Sequence, residues 1–101
     1  MNILFICNQN KHRSKTAEEL FKGKFNTKSA GLYNGNPVTV ELLLWADVLV
    51  VMDELQRKEL VRRFPKQTLQ KKLITLDVPD TYYYQQPELI TLLRGKEELL
   101  V

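Results

Sequence analysis

The sequence predicts an α/β fold: a parallel sheet with helices on both faces, built as one domain over residues 1–101. Three observations carry this. Short apolar runs at 2–7, 47–52 and 72–76 alternate with stretches of helical length and pattern. The first run, Asn2-Ile3-Leu4-Phe5-Ile6-Cys7, is apolar almost without a break, as a strand buried on both faces must be. Strands that alternate with helices imply right-handed crossovers, hence parallel pairing with both sheet faces covered.

Residues 2–7 form the first strand. A helix starts at Ser14, with Ala17, Leu20, Phe21 and Phe25 on one face. Residues 28–31 make a short strand ending at Gly31, and Tyr33-Asn34-Gly35-Asn36-Pro37 reads as a turn. The stretch 38–46 is apolar almost all round, which predicts a short buried helix with Trp45 in the core. Residues 47–52 are the second central strand. Asp53 then caps a charged helix running to Phe64, with Leu60, Val61 and Phe64 inward and Pro65 as its stop. The last strand covers 72–76, and residues 77–86 are a loop with three consecutive tyrosines. Pro87 opens a final helix with Leu89, Ile90, Leu92 and Leu93 inward and Gly95 weakening its centre. The sequence contains no repeat, linker or low-complexity segment.

Composition bounds the function. Hydrophobic residues at 44% and charged residues at 27% are the balance of a globular rather than a disordered chain. No apolar stretch approaches the roughly 20 residues of a membrane span. Cys7 and Asn8 end the first apolar run too early for a signal peptide, and no basic region precedes it. The single cysteine cannot form an internal disulfide, so a reducing, cytoplasmic location is expected. One histidine and one cysteine argue against a structural zinc site. Net charge is +3, with a pI near 9.1. The basic residues are spread over Lys11, Arg13 and Lys15, then Arg57, Lys58, Arg62 and Arg63, then Lys71 and Lys72. A nucleic-acid partner is compatible with this charge but not favoured by it, because mixed charge along a helix is commonly a solvated face. A small phosphorylated or acidic substrate suits it equally well.

Ligands of open parallel sheets bind beyond the carboxyl ends of the strands, near the point where strand order reverses. Cys7, Asp53 and either Asp77 or Asp80 fall there. Cys7-Asn8-Gln9-Asn10-Lys11-His12-Arg13-Ser14 follows directly on the first strand. A free thiol, with a pKa near ~8.5, is mostly protonated at neutral pH. Backbone N–H groups in a tight loop, together with the positive end of the next helix, favour negative charge at Cys7. The same donors serve phosphate oxygens, and Arg13 adds a planar fork for bidentate contact. Five residues between Cys7 and Arg13 suffice to wrap one phosphate-sized anion. Asn10 tolerates the left-handed backbone such a loop needs. Ser14 can donate to the sulfur, steadying the thiolate as nucleophile and later as leaving group. Phosphoryl transfer depends mainly on positioning and charge stabilisation, and this loop supplies both. The plain alternative is an inert buried cysteine with Arg13 on the surface. An arginine at one fixed offset occurs roughly one time in twenty, so the spacing alone is weak. The preceding strand, the following serine and the helix start outweigh that alternative together.

These residues resemble the low-molecular-weight protein tyrosine phosphatases, whose loop C-x-x-N-x-x-R-S and following Ala-Glu are matched by Cys7, Asn10, Arg13, Ser14, Ala17 and Glu18. Ser29-Ala30-Gly31 resembles that family's strand end, Met52-Asp53 its Met-Asp, and Asp80-Thr81-Tyr82-Tyr83 its Asp-Pro-Tyr-Tyr acid loop. The likeness runs in order along nearly the whole chain and is strongest to compact bacterial and archaeal members. It implies a three-layer sandwich with a four-stranded parallel sheet in the order 2-1-3-4. It also implies Cys7 as nucleophile, Arg13 as clamp on the phosphoryl oxygens and Asp80 as the acid that protonates the leaving oxygen and then activates water. The phosphate-binding loop would comprise Asn8, Gln9, Asn10, Lys11, His12 and Ser14. Neither a metal nor another cofactor enters that scheme.

The chain departs from the family in places. Gln9 stands where glycine is common, His12 where a second cysteine stands, Lys15 for the usual proline, and Thr81 for the proline after the acid. Asp77 competes with Asp80 as the acid, and Asp80 is preferred because Tyr-Tyr follows it closely. His12 either raises the local positive potential or faces solvent. Tyr82 and Tyr83, with Tyr33 opposite, are candidate walls for an aromatic phosphoester; the plain alternative packs them on the sheet or leaves them at the surface. Asp53 is read first as a helix cap and second as a support for the site. The Arg57/Lys58 and Arg62/Arg63 cluster reads as a solvated face.

The expected activity is therefore a cysteine-dependent, metal-independent phosphomonoesterase acting on phosphotyrosine or another aryl phosphate through a thiophosphate. Two alternatives stand beside it. A phosphocysteine carrier of the sugar phosphotransferase IIB type shares the strand–Cys–loop start but usually lacks the loop arginine. A non-catalytic phosphate-binding module would retain the loop without turnover. Arsenate reduction would need further redox cysteines.

Overall fold

The computed structural model describes residues 1–33 and 36–101. Its elements in chain order are β1 (Asn2–Cys7), α1 (Arg13–Phe21), β2 (Asn26–Gly31), α2 (Val40–Trp45), β3 (Val48–Val51), α3 (Glu54–Arg63), α4 (Pro65–Leu69), β4 (Lys72–Thr75) and α5 (Pro87–Arg94), with a closing 3-10 turn at Glu97–Leu100. The four strands form one parallel sheet in the order β2-β1-β3-β4, as the resemblance implied. Strand order reverses at β1, whose neighbours are β2 on one side and β3 on the other. The register aligns Cys7 with Gly31, Ile6 with Val51, and Val51 with Thr75. The carboxyl ends of β1, β3 and β4 therefore open onto one edge, where Cys7, Asp53 and the 77–86 loop meet.

Alternation along β1 divides the core in two. Ile3, Phe5 and Cys7 point to the face covered by α1 and α5, where Ala17, Phe21, Leu89 and Leu93 are buried with them. Leu4 and Ile6 point to the other face, against Leu43, Ala46 and Leu60 from α2, its end and α3. Phe5 stacks on Phe21 with ring centroids 5.9 Å apart, and side chains of this kind stabilise by roughly 1.5–3 kcal/mol each on burial.

Several local expectations are corrected. The 38–46 stretch is not buried all round: within α2 only Leu43 is buried, Leu44 lies outside, and Trp45 is half-buried beneath the Lys28 ammonium, 4.5 Å from the ring centre. A six-residue helix laid on one sheet face has too little surface beneath it to cover every side chain. Val61, expected inward on α3, is exposed. Pro65 ends α3 but also starts α4, because Phe64 is pushed out of helical geometry (φ −131, ψ 60) while proline suits a first helical position. Gly95 is the C-cap of α5 rather than a weak point in its centre. β2 begins two residues earlier than expected, at Asn26, drawn in by pairing with β1. The turn expected at 33–37 includes Asn34 and Gly35, which lie outside the described residues; its far side is tied by a Gly31–Pro37 bridge.

Candidate active site

Cys7 is the last residue of β1 and is buried. Its Sγ lies 2.9 Å from the Oγ of Ser14, in the first turn of α1. Asn10 donates its Nδ2 to the same Oγ at 2.9 Å, which leaves the hydroxyl proton free to turn toward the sulfur. Asn10 has φ 53, the left-handed conformation that reverses the chain within the loop. α1 opens at Arg13 behind His12 with no side-chain cap and no acid in its first turn. Its N-terminal N–H groups and dipole are thus left for a ligand.

Arg13 is only 2% exposed, so its charge must be met inside the protein. Nη1 donates to the Val78 carbonyl at 2.8 Å and to Asp53 Oδ2 at 3.2 Å. Nε lies 3.7 Å from Asp80 Oδ1. Asp53 does two jobs, since its other oxygen accepts the Gln56 N–H at 2.9 Å and caps α3. Both readings of Asp53 hold at once.

A cavity of about 170 Å³ is lined by Cys7, Asn8, Gln9, Lys11, His12, Arg13 and Asp80. The structure therefore gathers most of the expected loop, the thiol, the guanidinium and one carboxylate around a single space. Asn10 and Ser14 stand behind it as supports. Asp80 rather than Asp77 reaches this cavity; Asp77 is exposed, with φ 56. None of the three candidate tyrosines is among the lining residues. Tyr33 is exposed under the Arg63 guanidinium. Tyr82 is half-buried against the α1/α5 core face. Tyr83 is exposed and meets the His12 ring edge-on, with centroids 5.6 Å apart.

Two supports were not anticipated. Gln56, 2% exposed, accepts the Met52 N–H at 2.7 Å and donates to Asn8 Oδ1 at 3.1 Å, tying the loop to the end of β3. Buried Thr16 donates to the His12 carbonyl at 2.7 Å and accepts the Gln85 N–H at 2.9 Å. The only sequence signals were a glutamine three residues after a capping aspartate and a threonine beside the loop. Away from the site, Arg62 and Arg63 both bind Glu59 and hold its carboxyl down to about 2, while Arg57 pairs with Glu54. Three of the four cations in that cluster are thus matched by acids on the same helix.

A strand, a loop bounded by cysteine and arginine, and an uncapped helix thus meet at the reversal point of a 2-1-3-4 sheet. The chain has the fold of the low-molecular-weight protein tyrosine phosphatases. It superposes with TM-score 0.82 and 25% identity on an arginine phosphatase, YwlE, whose cysteine-to-serine mutant carries a phosphorylated active-site serine; the match covers 99% of this chain and 95% of that one. The tyrosine phosphatase Wzb from Escherichia coli K30, in complex with phosphate, gives TM-score 0.78 at 21% identity over 98% of this chain and 94% of that one. A low-molecular-weight phosphotyrosine phosphatase from Vibrio cholerae gives 0.80 at 17% identity, covering 99% and 94%. No family model and no curated protein matches the sequence.

Proposed function

We propose that this protein is a cysteine-dependent phosphomonoesterase, with phosphotyrosine or a related aryl phosphate as substrate. The observation that carries the reading is the Cys7 sulfur, 2.9 Å from the Ser14 hydroxyl, lining one cavity with Arg13 and Asp80. The Cys7 thiolate attacks phosphorus, and the bond to the leaving oxygen breaks as Asp80 gives that oxygen its proton. Arg13 and the loop N–H groups hold the phosphoryl oxygens as charge shifts among them. Asp80, now ionised, takes a proton from water, which attacks phosphorus, releases phosphate and returns the thiolate. Ser14, backed by Asn10, steadies the sulfur in both steps.

The phosphocysteine carrier reading is weaker here, because a group held for transfer gains nothing from a carboxylate beside the cavity. A second substrate reading, phosphoarginine, is favoured by the arginine phosphatase among the similar structures. Lys11 at the cavity disfavours it, since a guanidinium would approach an ammonium. The chemistry needs a reduced thiol, which fits a cytoplasmic setting. Among the described residues no helix is long and apolar enough to cross a membrane.

The test is a panel of aryl phosphates, phosphotyrosine and phosphoarginine peptides and nucleotides, run on the native protein and on Cys7→Ser. Aryl phosphates should turn over in the presence of chelator, and the serine variant should lose that turnover. Persistent turnover by Cys7→Ser would end the proposal.

A further inference from the structure

We infer that His12 is a positioning residue for the proposed general acid, its ring holding the chain beyond Asp80 in register with the phosphate loop. The inference rests on the phosphatase reading above and gives a task to the His12 side chain, which that scheme leaves without one. Asp80 is 64% exposed. Apart from the Arg13 guanidinium 3.7 Å away, its position is set by the chain on either side of it. On one side Val78 is fully buried, donates its N–H to the Met52 carbonyl at 2.8 Å and accepts Arg13 Nη1 at 2.8 Å. On the other side the anchors converge on residue 12. The Tyr84 N–H donates to His12 Nδ1 at 3.0 Å, and Tyr83 sets its ring edge against the imidazole. The Gln85 N–H donates to Thr16 Oγ1, and that hydroxyl donates in turn to the His12 carbonyl.

The segment is shaped to make these contacts. Gln85 takes φ 62, and Gln86 accepts the Tyr83 N–H at 2.9 Å while its own N–H returns to the Tyr83 carbonyl. Because Tyr84 donates to Nδ1, that nitrogen carries the lone pair and Nε2 carries the ring proton. The residue needed at position 12 is an acceptor of this reach, which an aliphatic side chain cannot supply. His12 also precedes Arg13 directly, so one residue couples the clamp on the phosphoryl group to the acid serving the leaving group.

An acid held out of place harms esters that need protonation most. The experiment compares kcat/KM for phenyl phosphate, a poor leaving group, with 4-nitrophenyl phosphate, a good one, in the native protein, His12→Leu, His12→Asn and Asp80→Asn. Because kcat/KM reports the first phosphoryl transfer, later thiophosphate hydrolysis does not enter the ratio. His12→Leu should shift the ratio of the two esters against phenyl phosphate by about tenfold, within the range a general acid contributes. His12→Asn, whose Oδ1 can take the Tyr84 N–H, should return the ratio to within about threefold of the native value. Asp80→Asn should shift it in the same direction and further. Equal losses on both esters in His12→Leu, or no recovery in His12→Asn, would overturn the assignment while leaving the phosphatase reading intact. An unmoved ratio in Asp80→Asn would instead remove the acid itself, and this inference with it.

Discussion

Two helices begin at the same edge of the sheet and treat their N-termini in opposite ways. α3 follows β3 and is closed by its own acids: Asp53 caps it through the Gln56 N–H, and Glu54 stands in its first turn. α1 follows β1 and has neither a side-chain cap nor an acid in its first turn. Each strand-to-helix turn of a parallel sheet offers N–H groups and a positive dipole to an anion. Residue identity at the cap decides which one stays open. The closed end also serves the open one, because the second oxygen of Asp53 pairs with Arg13, the residue proposed to clamp the phosphoryl group.

The comparison can be broken from the open side first. Replacing Cys7 with serine should lower turnover by at least about a thousandfold, as loss of a nucleophile does. Arg13→Lys keeps a cation but loses the fork and should cost about a hundredfold in kcat/KM on aryl phosphates. From the closed side, Asp53→Ala removes a cap and strands the buried Arg13 charge. It should cost about 3 kcal/mol in urea unfolding, with Asp53→Asn, which keeps a capping oxygen, losing less.

A milder change should sharpen the contrast. Lys15→Glu gives α1 the first-turn acid that it lacks. It should stabilise the fold by about 0.3–1 kcal/mol while weakening competitive inhibition by inorganic phosphate several-fold. Stability and anion binding would then move in opposite directions, as they must if the open terminus is kept for a ligand. The smallest effect lies at the far end of α3. Glu59 is held at about 2 by Arg62 and Arg63, below its ordinary 4.5. Its folded-state value is depressed, so its contribution is present above about 4.5 and fades as pH falls toward 2. Glu59→Gln should flatten the acid limb of the stability profile in that window and change nothing at neutral pH in activity.

Much of this was legible from the chain. The unbroken apolar run of β1 fixes a central strand, and Cys7 through Ser14 places a thiol, an arginine and a hydroxyl on one turn. Such patterns are local, and local periodicity reads them. What escaped depends on partners far apart in sequence. Gln56 reaches Asn8 across 48 positions and Tyr84 reaches His12 across 72. No spacing rule marks a glutamine or a backbone N–H for such a contact. The apolar 38–46 stretch misled because hydrophobicity alone cannot say how much sheet lies beneath a short helix. The tyrosines misled in a similar way, since aromatics beside an acid look like a wall until the loop path packs Tyr82 on the core and leaves Tyr83 and Tyr84 at the surface.

The most direct measurement is to trap the intermediate. A rapid acid quench during turnover of an aryl phosphate, followed by peptide mass analysis, should find one phosphoryl group on the peptide that contains Cys7, joined through sulfur. Asp80→Asn should accumulate it if thiophosphate hydrolysis is slowed more than its formation. Turnover with no phosphoryl group on Cys7, or with one on another side chain, would contradict the account at its centre.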